Sequence, residues 1–393
     1  MYALFLIVFS NILGFGIIIP LLPYYAENFG ANPNEVTLLM ASYSLMQLIF
    51  SPILGKISDI YGRKKILILC LIGSAASYLV LYFATSFILV LFARSIAGLF
   101  ASTTAIANAY VTETTSSANR SKGMGLIGAA FGLGFVFGPA IGGYFGGEEI
   151  NNINYKTTFL ISIVVAVISC CFAYFILTEP KKRNKQFVSI NFLNSFRDLI
   201  NLFKIPAILF LIIISFLVTF SFAGFETTFA LWTERAMNWA SMQTGFAFTF
   251  TALLAALVQG VFIGKLTKIF GEIKILATSS FLMLMGLFFI TLSVENLYYL
   301  IFSLAILGIS IGLGNPTINS LFSKNLNKNI IGLSFGTIQS VGSLARILSP
   351  LVAGNLFYFF GINSPYNLGA LLMLISLIIF FYFFFILDKK IKT

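Results

Sequence analysis

Three ionisable residues stand where the surrounding chain is apolar: Arg94 in LFARSIAG, Glu226 in SFAGFETTFALW and Arg346 in GSLARILSP. A carboxyl group in a low-dielectric setting can take up and release a proton near neutral pH, which is the chemistry of a proton carrier. A guanidinium stays charged. Placing one in the middle of a bilayer costs about 2.5–3.5 kcal/mol on insertion scales, so it faces a polar interior, a partner or water. Glu226 and Arg94 are therefore the candidate proton-coupling pair, and Arg346 a candidate contact for an anionic substrate. The plainer alternative is a static ion pair between Glu226 and either arginine, which would hold the carboxyl ionised. The sequence has no histidine, so imidazole catalysis and the commonest metal ligand are excluded. Cys70, Cys170 and Cys171 lie in apolar segments without the spacing of a disulfide framework or a metal site. No nucleophile–base constellation and no GxxxxGK[ST] phosphate loop is present. The expectation is a protein that is not an enzyme and carries no cofactor or metal.

The elements that must position these residues are long apolar helices. Of the 393 residues, 59% are hydrophobic and 9% charged, with 45 Phe. Mean hydropathy is +0.97, the composition of a polytopic membrane protein. Twelve segments are long enough to span: 3–25, 35–56, 66–84, 86–111, 121–145, 156–178, 206–233, 242–264, 273–293, 296–320, 332–358 and 366–387. The first lacks a positive flank and is too long for a signal-peptide core, so it is expected to stay as a span. Thr85 and Ser86 alone mark the turn between the third and fourth.

Charge orients the spans. Of 24 Lys and Arg residues, only Lys156 and Arg235 fall in the loops of one side, with Arg94 and Arg346 inside spans; all others lie in alternate loops or the tail of the opposite side. That bias puts both termini in the cytoplasm. It also assigns the net charge of +11 to topology rather than to a nucleic-acid partner.

The chain is built twice. A polar, basic connection, 179–205, separates a six-helix half at 1–178 from another at 206–393. Shifted by 209 positions, GKLTKIFGEIK (264–274) falls on GKISDIYGRKK (55–65), matching Gly55 with Gly264, Lys56 with Lys265 and Gly62 with Gly271. Asp59 and Arg63 meet Lys268 and Glu272, so each copy holds opposite charges four residues apart with the polarity reversed. GPAIGG (138–143) is echoed by SPLVAG (349–354). The fold expected is an all-α membrane protein of twelve transmembrane helices in two pseudo-symmetric halves, with a substrate site between repeats.

These residues resemble the major facilitator superfamily. Gly55, Asp59, Gly62, Arg63 and Lys64 are similar to its loop motif between spans two and three, and Arg94 with Gly98 resembles its span-four motif. GAAFGLGFVFGPAIGG (128–143), with Gly138, Pro139, Gly142 and Gly143, is similar to the span-five motif of the drug/proton antiporter branch. NILGFGIIIPLLP (11–23) resembles the first span of tetracycline-efflux proteins. The resemblance implies proton-coupled efflux of amphipathic small molecules by alternating access. The loop would act as a gating latch and the span-five glycines as a hinge that closes one end of the cavity. It departs at Asn11, near which the tetracycline-efflux type has an acid; Asn11 cannot exchange a proton, which leaves Glu226 as the deep carboxyl.

Polar and aromatic residues inside spans complete the candidate substrate contacts: Asn11, Tyr43, Gln47, Asn108, Phe222, Gln259, Asn315, Gln339 and Arg346, with Trp232 and Asn319 behind them. Each has the alternative of being interhelical glue. The partners expected are a small-molecule substrate, protons and the lipid bilayer around a monomer in a bacterial inner membrane. Facilitated import or exchange of an anionic metabolite is the second reading.

Overall fold

The computed structural model describes residues 2–115, 117–180, 205–324 and 331–391, which are almost entirely helical. The basic connection after Pro180, with Lys181 to Lys204, lies outside the described residues, as does Lys328. The helices, in order, are α1 (Tyr2–Ile18), α2 (Leu22–Glu27), α3 (Pro33–Tyr61), α4 (Arg63–Tyr82), α5 (Phe87–Leu99), α6 (Thr103–Thr114), α7 (Ser117–Gly146) and α8 (Tyr155–Phe175). They continue as α9 (Pro206–Met237), α10 (Ser241–Leu257), α11 (Ile263–Phe270), α12 (Glu272–Thr291), α13 (Leu297–Lys324), α14 (Ile331–Phe360) and α15 (Ser364–Ile391). Among the described residues, eleven helical stretches are long and apolar enough to cross a membrane, and the shorter Tyr2–Ile18 precedes them. This is the expected count of twelve, with the first and fourth spans each in two pieces.

The first span is broken near its end. Instead of one helix over 3–25, α1 ends at Ile18 and α2 starts at Leu22. Pro20 has no N–H to continue the ladder, and Pro23 sits in the first turn of α2, where a missing N–H is tolerated. The fourth span is also in two pieces, α5 and α6, broken at residues 100–102. There Phe100 folds over Gly73 of α4, where any side chain would collide with its ring. The Ala101 carbonyl freed by the break accepts a hydrogen bond from Gln47 Nε2 at 3.3 Å. Such side-chain rescue is what lets a broken helix persist in lipid. The eighth span runs from Ser241 to Phe270 through a π-helical turn at Val258–Phe262, which contains Gln259.

Two compact units emerge, one of Met1–Gln186 with Phe229–Ala252, the other of Phe187–Thr228 with Leu253–Thr393. In the first, α1 lies against α7 through a glycine seam. A Cβ at Gly134 would come within 2.7 Å of Ile12, and one at Gly138 within 2.7 Å of Gly16 Cα. At Gly142 it would run into the Ile17 carbonyl. These three residues, one turn apart, let two backbones touch. Gly125, Gly128 and Gly132 are different: a Cβ there would meet nothing within 4 Å. Close backbone packing along span five is therefore confined to its second half.

In the second unit, α9 packs on α14, where Ser349 Oγ donates to the Phe220 carbonyl at 2.5 Å and lies beside Gly224. α12 and α13 exchange serine hydrogen bonds: Ser279 Oγ donates to the Ser310 carbonyl at 2.9 Å and Ser310 Oγ to the Ser279 carbonyl at 2.8 Å.

Candidate functional site

The loop GKISDIYGRKK forms the end of α3 and the start of α4, with Gly62 at φ 112° as the hinge between them. Its buried centre is Arg63 rather than Asp59. The Arg63 side chain is 10% exposed and pairs with both Asp59, 58% exposed, and Glu113 of α6, 17% exposed. Nη2 lies 2.7 Å from Glu113 Oε1, and Nη1 donates to Ser58 Oγ at 2.6 Å. A third acid, Glu179, caps α4 by accepting the Lys64 backbone N–H at 3.1 Å, a favourable place for a carboxylate because the first helical N–H groups are otherwise unsatisfied. Lys64 Nζ in turn donates to the Tyr174 carbonyl at 2.7 Å. Gly55 contributes its carbonyl to Ser58 Oγ at 2.5 Å; a Cβ there would meet nothing within 4 Å.

The second copy keeps the hinge, with Gly271 at φ 80°, but wires the charges differently. Among the described residues Glu272 does not turn to Lys268 as Arg63 turns to Asp59; its Oε1 accepts from Ser320 of α13 at 2.6 Å. This contrast yields a stability prediction. In Gly62→Ala, the new Cβ would sit 2.7 Å from the Glu179 carboxyl in a left-handed backbone, whereas at Gly271 it would meet nothing within 4 Å. The backbone alone costs about 1–3 kcal/mol in both, since φ 112° with ψ 142° and φ 80° with ψ 153° fall where essentially only glycine is at ease. The flexible Glu179 carboxylate can swing aside only by leaving the Lys64 N–H that it caps. Gly62→Ala should therefore lower the melting temperature of the detergent-solubilised protein modestly more than Gly271→Ala, and equal losses would remove Glu179 from the account.

Arg94 is 1% exposed in α5. Its guanidinium lies 4.6 Å from the Tyr43 ring centroid and 5.4 Å from that of Phe15, with Nη2 3.4 Å from Met40 Sδ. Gly98, one turn on, is required by a close approach: a Cβ would press into the Tyr43 carbonyl region, 2.9 Å from both Tyr43 C and Met46 Cβ. The motif pair Arg94–Gly98 thus brings α3 against α5 and presents the aromatic face of Tyr43 to the cation, a geometry that favours binding. Asn11 stays in α1 as a polar side chain, its Nδ2 donating weakly to Ser74 Oγ at 3.4 Å. Asn108 is half-buried in α6.

In the second unit, Glu226 is half-buried on α9 and Arg346 half-buried on α14, two helices that pack together. Phe222 is half-buried beside Phe225, with centroids 6.0 Å apart. Gln259, Asn315, Asn319 and Gln339 present exposed side chains, and amides in spanning helices are satisfied by water far better than by lipid. Trp232, in the first unit, belongs to the core: it is fully buried, stacked near-parallel on Phe229.

The feature that sequence reasoning missed lies at the cation-poor end. Glu27 Oε1 and Arg235 Nη2 are 2.7 Å apart. The Tyr24 hydroxyl sits 3.1 Å from the Trp239 carbonyl, 3.0 Å from Thr244 Oγ1 and 3.4 Å from the Ala230 carbonyl. The Gly147 carbonyl accepts from Ser241 Oγ and the Met242 N–H, both at 3.1 Å. A Cβ on Gly143 would lie 2.7 Å from the Ser241 carbonyl, and Gly245 faces it. The cation-poor ends of α2, α7, α9 and α10 are thereby clamped together. Gly143 was legible as a gating glycine, but its partner was not. Glu27 and Arg235, opposite charges at two loop ends of the cation-poor side, were the available signal.

Twelve spanning helices with buried guanidinium and carboxyl groups, and a glycine-hinged loop repeated in each half, define a multi-pass membrane transporter. The model of the Major Facilitator Superfamily matches residues 4–350 and again 238–393. The chain is 30% identical over 346 residues to the class B tetracycline resistance protein of Escherichia coli, covering 86% of this chain and 84% of that protein. It is 27% identical to multidrug resistance protein 2 of Bacillus subtilis, covering 95% and 93%. To the quinolone resistance protein NorA of Staphylococcus aureus it is 26% identical, covering 91% and 89%. Among solved structures, a mutant form of the nucleoside transporter NupG superposes with a TM-score of 0.84 at 13% identity, covering 98% of this chain and 99% of that one. The chain belongs to the Major Facilitator Superfamily.

Proposed function

We propose that this transporter exports amphipathic small molecules or drugs in exchange for protons, by alternating access. The observation that carries the reading is Glu226, a half-buried carboxyl within α9, in a chain whose relatives over most of its length are named for tetracycline, multidrug and quinolone resistance. With Asn11 uncharged, Glu226 is the group that takes up a proton from the outer side. Protonation favours one orientation, and substrate competes with the proton. Arg94, fixed in charge beside the Tyr43 and Phe15 rings, is the second coupling residue. Tyr43, Phe222 and the exposed amides supply stacking and hydrogen bonds to an amphipathic ligand. The chain sits as a monomer in the bacterial inner membrane with both termini cytoplasmic, as the cation bias supports. Its two six-helix halves, 1–178 and 206–393, are joined by the basic linker 179–205.

The test is transport in proteoliposomes under an imposed pH gradient, screened over dyes, tetracycline-like drugs and small anions. Glu226→Gln should abolish proton-driven transport while leaving substrate binding measurable. Full gradient-driven transport by that variant would sink the assignment. The intramembrane cation Arg346 favours a second reading, facilitated import or exchange of a small anionic metabolite. Uptake that follows the substrate gradient alone and ignores uncouplers would select it.

A further inference from the structure

The clamp at the cation-poor end contains one acid more than its guanidinium can neutralise. Glu27, at the end of α2, is engaged with Arg235 at 2.7 Å. The Glu234 carboxyl of α9 lies within hydrogen-bonding reach of the Glu27 carboxyl. Glu234 Oε2 is buried, and no donor among the described residues reaches it. The other ionisable groups facing the pair are Tyr24 from α2 and Tyr155 from the start of α8, the latter held by Asn28. Lys156 follows Tyr155 and lines the adjoining cleft. α10, which packs on the same end, carries no ionisable residue. Two carboxylates side by side with one guanidinium repel each other. One proton between them removes the repulsion and supplies the donor that the buried oxygen lacks.

We propose that Glu27 and Glu234 share a proton that latches the cation-poor end shut, and that losing this proton drives the two carboxylates, and with them α2 and α9, apart and lets that end open. The sign follows from linkage: the closed form binds one proton more than the open form, so acid favours closure and alkali opening. The latch is distinct from Glu226, which lies two turns earlier on the same helix. It needs no substrate. In an antiporter, proton arrival at this surface would close the entrance behind the proton.

The experiment places spin labels at two exposed positions of this end, Glu149 and Asn238, in a full chain whose native cysteines are replaced, held in lipid nanodiscs. Distances are measured without substrate and without a gradient. A single short distance is expected at pH 5.5, with a longer population growing in by pH 8.5. Glu234→Gln, which keeps a permanent donor and no charge, should stay short at both values. Glu226→Gln should still show the wild-type shift, even if it no longer transports. Identical distributions at the two pH values, a wild-type shift in Glu234→Gln, or loss of the shift in Glu226→Gln would each overturn the latch. Thermal melting of each variant excludes misfolding as the cause.

Discussion

Gly245→Ala is expected to cut transport roughly 5- to 150-fold in a protein that still folds. The Cβ it adds would collide with the Pro139 carbonyl and lie 2.9 Å from Gly143 Cα. Both obstacles are backbone, so neither can rotate aside. Overpacking of this kind costs about 1–3 kcal/mol, and here the cost falls on the clamped form of the cation-poor end. A transporter cycling through that form would have its population cut roughly 5- to 150-fold at about 1.4 kcal/mol per decade. Gly143→Ala, whose Cβ would lie 2.7 Å from the Ser241 carbonyl, should behave alike. Two controls separate gating from folding. Gly142→Ala strikes the Ile17 carbonyl in the α1–α7 seam, so it should lower melting temperature and yield. Gly264→Ala meets nothing within 4 Å and should be silent. The readout is maleimide labelling of a cysteine at exposed Asn238: Gly245→Ala should label faster than the parent at equal stability. Slower labelling, or transport near the parental rate, would show that this glycine contact is ordinary packing.

How much of this was legible depends on the distance over which each interaction acts. Hydropathy is local, so the spans and the repeated loop stand out, and even the broken first span has its cause in view at Pro20 and Pro23. Arg94 is legible as a charge in an apolar run, and Gly98 as its motif companion. The cage around it is not, because Phe15, Met40 and Tyr43 come from α1 and α3 and meet the guanidinium only after the helices pack. The clamp is the extreme case. Glu27 and Arg235 are 208 residues apart, and each alone reads as a solvated loop charge. Glu234 escaped for a related reason: ending the seventh span at residue 233 put it in a loop, whereas α9 continues to Met237 and draws its carboxyl against Glu27. Span five errs the other way, since its glycines look equivalent in sequence and only a neighbour's backbone distinguishes Gly142 from Gly128.

Arg94→Met should uncouple stability from function. Methionine keeps much of the arginine stem's volume and removes the charge. At a site that is 1% exposed, methionine removes the desolvation cost of the guanidinium together with its contacts to the Tyr43 and Phe15 rings, so the two changes offset each other in stability. If Arg94 were only a packing residue, the variant would transport normally whatever its melting temperature. Under the proposed mechanism the melting result is the same and transport fails, because the second coupling residue has lost its fixed charge. A lost charge-assisted interaction of about 2–3 kcal/mol corresponds to roughly 30- to 150-fold in rate. Arg94→Lys tests geometry rather than charge. A lysine ammonium retains the cation but lacks the planar face that lies 4.6 Å from the Tyr43 centroid, so intermediate transport is expected. Tyr43→Phe keeps that ring and should be mild, while Tyr43→Leu removes it and should approach Arg94→Lys. Normal pH-driven transport by Arg94→Met would return Arg94 to the role of a packing residue and leave Glu226 to act without it.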